Sequence, residues 1–340
     1  MKIVFKLKII TALFAIACLT FSCTVDEDLP KLNTAINNVD LTTMGIIKGN
    51  PIFSQLVKSI EITELTETLK NAQPYTLFAP SNDAFNAFLK TTPYKTINDV
   101  PKEVLKQIIL NHVLKGQVSA KDFKTGYIKT LATSPASGAN NISMYVNTAD
   151  GVMLNGVTKV ISTNITRPSE FVHVVDKVIF LPTVATHITA NPAFKSAKPE
   201  EPKSLVEIIM MLDALKEAND PTKFLTLLSG VGPFTVFAPT NTAFTAFNTE
   251  LGPAGLNGVS IPNLTKVLQY HVANGNVLAA TLKEGQVVAS LEIPQTFEIQ
   301  LAGGAKIKDA SNRISNITAT DVQCANGVIH VLDKVLLPKL

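Results

Sequence analysis

Tyr75-Thr-Leu-Phe-Ala-Pro-Ser-Asn-Asp-Ala-Phe85 is written a second time in this chain, as Phe234-Thr-Val-Phe-Ala-Pro-Thr-Asn-Thr-Ala-Phe244. Two further blocks follow in the same order. Asn111-His112-Val-Leu-Lys-Gly116 answers to Tyr270-His271-Val-Ala-Asn-Gly275, and the run from Phe171 through His173 to Pro182 answers to Val328 through His330 to Pro338. Phe78 and Phe237 stand 159 residues apart, as do His112 and His271, while His173 and His330 stand 157 apart. A period this long means two domains of one fold in tandem, not a stack of small repeats.

The three blocks resemble the fasciclin domain, an extracellular module of adhesion and matrix proteins. Thr-x-Phe-Ala-Pro-x-Asn-x-Ala-Phe is the family's first motif, carried here with Asn82 and Asn241. His112 and His271 match its Tyr-His, and Asn326-Gly327-Val328-Ile329-His330 matches its closing strand. Repeat one departs twice: Asn111 replaces the Tyr, and Glu170-Phe171 replaces Asn-Gly. The resemblance implies an α+β fold, each domain a strand-rich wedge or sandwich covered by short helices. The domains are expected at residues 41–182 and 204–340, separated by a linker at 183–203.

The N-terminus carries an address. Lys2, Lys6 and Lys8 precede an uncharged run from Ile9 to Ser22, which ends at Cys23. A basic start and a short apolar run read as a secretory signal over residues 1–22, too short to span a bilayer comfortably. Leu19-Thr-Phe-Ser-Cys23 is similar to a bacterial lipoprotein processing site, with Cys23 the residue to be diacylated and Cys18 the competing candidate. Asp26-Glu27-Asp28, in a polar tether over 23–40, resembles the acidic tag that sends some lipoproteins to the cell surface. The expected place is the cell envelope, at the outer membrane and facing outward, with membrane contact through the N-terminal lipid.

Removing residues 1–22 takes away three lysines and no acid, leaving 27 basic and 27 acidic side chains. A neutral chain gives no electrostatic case for nucleic acid. Cys324 is then the one cysteine without a lipid, so no intrachain disulfide can form, and a small core residue is its expected role.

Thr76 to Ala79 is a continuous apolar run stopped by Pro80, which predicts a buried strand. Ser81-Asn82-Asp83 supplies a cap for the next helix. Val104, Leu105, Ile108, Ile109 and His112 are expected on one buried helical face. Asp150-Gly151 and Asn155-Gly156 predict hairpin turns, and each repeat is expected to close on an apolar strand running to Pro182 or Pro338. Pro192, Pro199, Pro202 and the charges between Lys198 and Lys203 predict a semi-rigid spacer, with His187 a lone residue within it.

Four of the five histidines fall at equivalent positions, so metal or acid–base chemistry is the first question. His112 and His271 are expected as buried imidazoles bonded to backbone or hydroxyl. His173 with Asp176, and His330 with Asp333, are three apart on a strand, so they face opposite ways and cannot grip one ion. An ion pair with Lys177 or Lys334 is the plainer expectation for the two aspartates. The chain has no nucleophile elbow, phosphate loop or zinc-protease motif. No catalytic residue, metal or cofactor is therefore expected. Asp321-Val322 sits where matrix members of the family carry an integrin-linked Asp-Ile pair, and is a weak binding candidate.

The expected function is surface-anchored, non-catalytic binding to an extracellular protein or matrix polymer. Two sites on a semi-rigid linker would gain avidity. The alternatives are an accessory part of a surface glycan-capture system and a small-molecule carrier or hydrolase. Glycan capture is disfavoured by the absence of Trp and the presence of only five Tyr.

Overall fold

The last strand of each repeat lies parallel to its first, and that pairing organises the domain. The computed structural model describes residues 42–72, 74–167, 170–197 and 203–340. Repeat one contributes β1 (Tyr75–Pro80), β2 (Val113–Lys115), β3 (Gly126–Lys129), β4 (Ser143–Asn147), β5 (Met153–Leu154), β6 (Thr158–Arg167) and β7 (Glu170–Val175). Repeat two contributes β8 (Phe234–Pro239), β9 (Val272–Asn274), β10 (Val287–Ala289), β11 (Thr296–Gln300), β12 (Lys306–Lys308), β13 (Ile314–Cys324) and β14 (Gly327–Leu332). Among the described residues the first sheet runs β2-β1-β7-β6-β5-β4-β3 and the second β9-β8-β14-β13-β12-β11-β10. Bridges Leu114–Thr130 and Ala273–Ser290 draw the two ends of each sheet together.

Strand β1 is buried throughout because both of its faces are covered. Leu77 and Ala79 pack with Leu56, Ile60, Leu105 and Ile109 on the helical side. Phe78, pointing the other way, packs with Phe123, Met144 and Val146 inside the curled sheet. Repeat two copies this: Val236 and Ala238 join the helical core, and Phe237 joins Tyr270, Phe297 and Ile307. Helix Lys102–Asn111 buries Leu105, Ile108 and Ile109, but Val104 is exposed. It stands about 100° round from Leu105, at the rim of the expected face.

The closing strands stop short of the prolines, at Val175 and Leu332. Beyond them the chain leaves the sheet, and the amides of Ile179 and Leu336 are taken by His112 and His271.

The expected spacer over 183–203 does not hold for residues 183–197. Helix Val184–Ala190 starts at Thr183, whose hydroxyl accepts from Thr186 N at 3.3 Å. Val184, Ala185, Ile188 and Phe194 then enter the core of repeat two. This helix and the turn Pro192–Phe194 match helix Thr43–Lys48 and the turn Pro51–Phe53 of repeat one. Asn50-Pro-Ile-Phe53 and Asn191-Pro-Ala-Phe194, 141 residues apart, carry that equivalence. The proline-rich charged stretch is an insertion within repeat two. In repeat one Phe53 leads straight into helix Ser54–Ile62, whereas in repeat two Phe194 is followed by ten residues before helix Leu205–Ala214. The repeats therefore meet at Pro182-Thr183, and residues 40–340 form one compact unit.

Candidate functional sites and the joint between the repeats

The histidines shared by the repeats are bonded to backbone. His112 and His271 sit at the C-termini of helices Lys102–Asn111 and Ile261–Tyr270 and are buried. His112 Nδ1 lies 2.8 Å from Ile108 O, and its Nε2 lies 2.9 Å from Ile179 N. His271 repeats this with Val267 O at 2.7 Å and Leu336 N at 2.9 Å. Because the far nitrogen accepts from an amide, the proton must be on Nδ1, which donates to the carbonyl one turn back. Burial holds both imidazoles down at about 4, so they are neutral bridges from a helix end to the chain leaving the last strand. His173 and His330, also buried, each donate from Nε2 at 2.8 Å, to Val118 O and Val277 O.

The carboxylates beside them are structural too. Asp176 accepts from Lys159 N and Asp333 from Asn316 N, both at 2.7 Å. The expected pairing of Asp176 with Lys177 is replaced: Lys177 donates to Val157 O. Among the described residues, no three His, Cys, Asp or Glu are grouped to hold a metal ion.

The two motif asparagines tie the second helix layer to the first. Ser81 caps helix Asn82–Lys90, which frees the Asn82 side chain to reach backward. It accepts from Gln55 N at 3.0 Å and donates to Pro51 O at 3.0 Å. Asn241 donates to Pro192 O at 2.9 Å and also to Lys195 O. Its Oδ1 has no partner among the described residues, because the insertion has moved the helix that would supply the amide.

Asp321-Val322 is not an exposed recognition pair. Val322 is buried in the core of repeat two, and the Asp321 carboxylate accepts from Ala279 N at 2.8 Å. Asp321 adopts φ +58° within the second break in the β13–β14 register, between Ala319 and Val322, which is the turn-forming role open to Asp. The two departures of repeat one are also accommodated. Tyr270 OH donates to Thr296 O and accepts from Ala310 N, whereas Asn111 Nδ2 donates to Phe180 O at 2.9 Å. Gly327 pairs with Phe234 as Glu170 pairs with Tyr75, so Glu170 stands at the Gly position, and Ser169-Glu170 is the pair replacing Asn-Gly. Gly327 cannot bear a side chain, since a Cβ there would lie 2.1 Å from Phe234 O. Cys324 is buried in the same core, and burial pushes its thiol far up, so it is not a reactive thiol. Cys23 and Asp26–Asp28 lie outside the described residues.

The residues that sequence reasoning missed form the joint between the repeats. His187, fully buried on helix Val184–Ala190, places Nε2 3.0 Å from Ser143 O of β4. Its ring meets Tyr127 of β3 edge-on at 5.2 Å, and Tyr127 OH accepts from Asn191 at 3.1 Å. The Ser143 hydroxyl accepts from Lys129 Nζ at 3.0 Å and from Gln323 N at 3.1 Å. Lys129 also reaches Asp321 O, and Ala325 N donates to Pro182 O at 2.7 Å. Gly156 permits the approach: a Cβ there would lie 3.1 Å from Ala190, and its φ is +72°. The signal that would have found this was the repeated Asn-Pro-x-Phe, which places His187 in a domain.

Among the described residues no such contact covers the matching face of repeat two. β10–β11 register puts Val287, Thr296 and Glu298 where Tyr127, Ser143 and Tyr145 stand in repeat one. They line an open groove of about 380 Å³ with Lys308, Asp309 and Lys339. The apolar space inside the repeat-two core, beside His271, is only about 10 Å³, room for no more than one water.

A fasciclin domain model matches residues 51–182 and again 191–338. The chain belongs to the fasciclin domain family. It is 40% identical over 120 residues to protein sll1483 of Synechocystis sp., covering 33% of this chain and 59% of that protein. It is 27% identical over 283 residues to human periostin, covering 82% of this chain and 30% of periostin. Fasciclin-1 of Drosophila melanogaster is 24% identical over 307 residues, with 82% and 41% covered. The chain thus spans less than two thirds of the length of each. Among solved structures, a FAS1 domain pair from the insect cell adhesion molecule Fasciclin I matches with a TM-score of 0.49 at 19% identity. That match covers 83% of this chain and 97% of that one.

Proposed function

We propose that this protein is a lipid-anchored component of the cell envelope whose two fasciclin domains serve as one non-catalytic binding body. The observation that carries the reading is the use made of the repeated polar side chains. His112, His271, His173, His330, Asp176 and Asp333 each bond to a backbone group within their own repeat, leaving none poised for chemistry. Membership of the fasciclin domain family, whose domains are found in adhesion and extracellular matrix proteins, supports binding as the activity. The basic and apolar N-terminus, Cys23 and the acids at 26–28 support a lipid anchor and an outward-facing address.

The partner in this reading is an extracellular protein or matrix polymer. Its contact surface includes the polar groove around Glu298, Lys308 and Lys339, the concave face that repeat two keeps open. Avidity through a flexible spacer is replaced by fixed spacing, because the joint holds the repeats as one unit. Glycan capture draws no support from the five tyrosines, none of which is exposed. Protease shaving of intact cells, with mass spectrometry of the mature N-terminus, is the test. The reading expects a diacylglyceryl Cys23 on a protein that the protease removes. An unlipidated N-terminus or a fully protected protein contradicts it.

A further inference from the structure

We propose that the joint between the repeats is an acid-sensitive latch: protonation of His187 opens the repeats from one another while each stays folded. The geometry gives the reason. His187 is completely buried, and its Nε2 must carry a proton because it faces the Ser143 carbonyl. Its other nitrogen, Nδ1, is buried with no hydrogen-bond partner. A proton added there would find no acceptor and would place a cation out of water, which is costly unless the charge is paired.

Among the described residues the surroundings offer no such pairing. From β3 come the Tyr127 ring and the Lys129 ammonium, the second of like charge. From β4 come the Ser143 carbonyl, already bonded, and Tyr145, whose ring packs on Tyr127. On β13 the Cys324 thiol stays protonated, and the Asp321 carboxylate acts on the Lys129 ammonium while its Oδ1 accepts from Ala279 N. Burial, with the Lys129 charge beside it, holds His187 down at about 3 against the lift from Ser143.

Opening the joint returns the ring to water, where it titrates near the ordinary histidine value. The open state then binds more protons than the closed one, so closure is favoured above that value and weakens as pH falls below it. From pH 7 to pH 5 the opening equilibrium rises about 25-fold. His187 is the histidine for this role because its bond crosses from repeat two to repeat one. His112, His271, His173 and His330 bond within a single repeat.

Hydrogen exchange of residues 40–340 by NMR tests it. The amides of Gln323, bonded to Ser143 Oγ, and of Ala325, bonded to Pro182 O, report opening. After correction for intrinsic exchange, their protection is expected to fall about 25-fold from pH 7 to pH 5. Phe78 and Phe237, bonded to His112 O and His271 O, should stay protected. In His187→Gln, which keeps a donor for Ser143 but cannot charge, the fall should vanish. Unchanged protection in the wild type, or an equal fall in the variant, overturns the proposal. If the variant does not fold, a ring titration of wild-type His187 decides. Protonation near 6.5 with the joint amides still protected overturns the latch, and resistance to protonation until those amides open sustains it.

Discussion

His271 illustrates how one side chain can look catalytic in sequence and prove structural in space. It donates to its own helix and accepts from the chain beyond β14, so truncation leaves a void and an orphaned amide at Leu336. His271→Ala should cost about 2–4 kcal/mol, as should His112→Ala, read by denaturant unfolding. Metal content should be unchanged in both. The pH dependence follows in sign. Each imidazole is neutral when folded, at about 4, and titrates near 6.5 when unfolded, so the unfolded chain binds the extra proton. Stability is therefore full above about pH 6.5 and declines toward pH 4, by about 3 kcal/mol per histidine; the measured slope should shrink in either Ala variant. That burial was legible from sequence, because both histidines sit among apolar residues in register with a repeat. The distant partner of each was not, since Ile179 and Leu336 lie more than sixty residues away along the chain.

Elements were legible where a pattern is local and obscure where it depends on neighbours. β1, β8 and the hairpins at Gly151 and Gly156 could be read from apolar runs and turn dipeptides. Helix Val184–Ala190 was hidden because prolines and charges nearby imitate a spacer, and its burial comes from strands distant in sequence. Two predictions belong at this scale. Asn82→Ala should destabilise repeat one by about 1–2 kcal/mol, because Gln55 N and Pro51 O lose their partner. Asn241→Ala should cost less, its Oδ1 being already unpaired. Gly156→Val should loosen the joint, since its first carbon meets Ala190 at 3.1 Å and its backbone is left-handed. Faster exchange at Gln323 and Ala325, with repeat cores unchanged, is the expected readout.

At the scale of the molecule the sequence announced two domains but not how they are joined. The joint uses single residues that the repeat does not duplicate: Tyr127 and Tyr145 have Val287 and Glu298 as counterparts, and His187 has Ile46. A search for shared motifs passes over such residues. Anchorage can be tested separately: Cys23→Ala should release the protein from the membrane fraction or leave its precursor uncleaved, while Cys18→Ala should do neither. The central claim is that two fasciclin domains form one cooperative unit, with helix Val184–Ala190 held by both. Scanning calorimetry of residues 40–340 at neutral pH tests this most directly. A single transition, with calorimetric and van't Hoff enthalpies in agreement, is the predicted result. Two separate transitions, one for each repeat and insensitive to Gly156→Val, would contradict it.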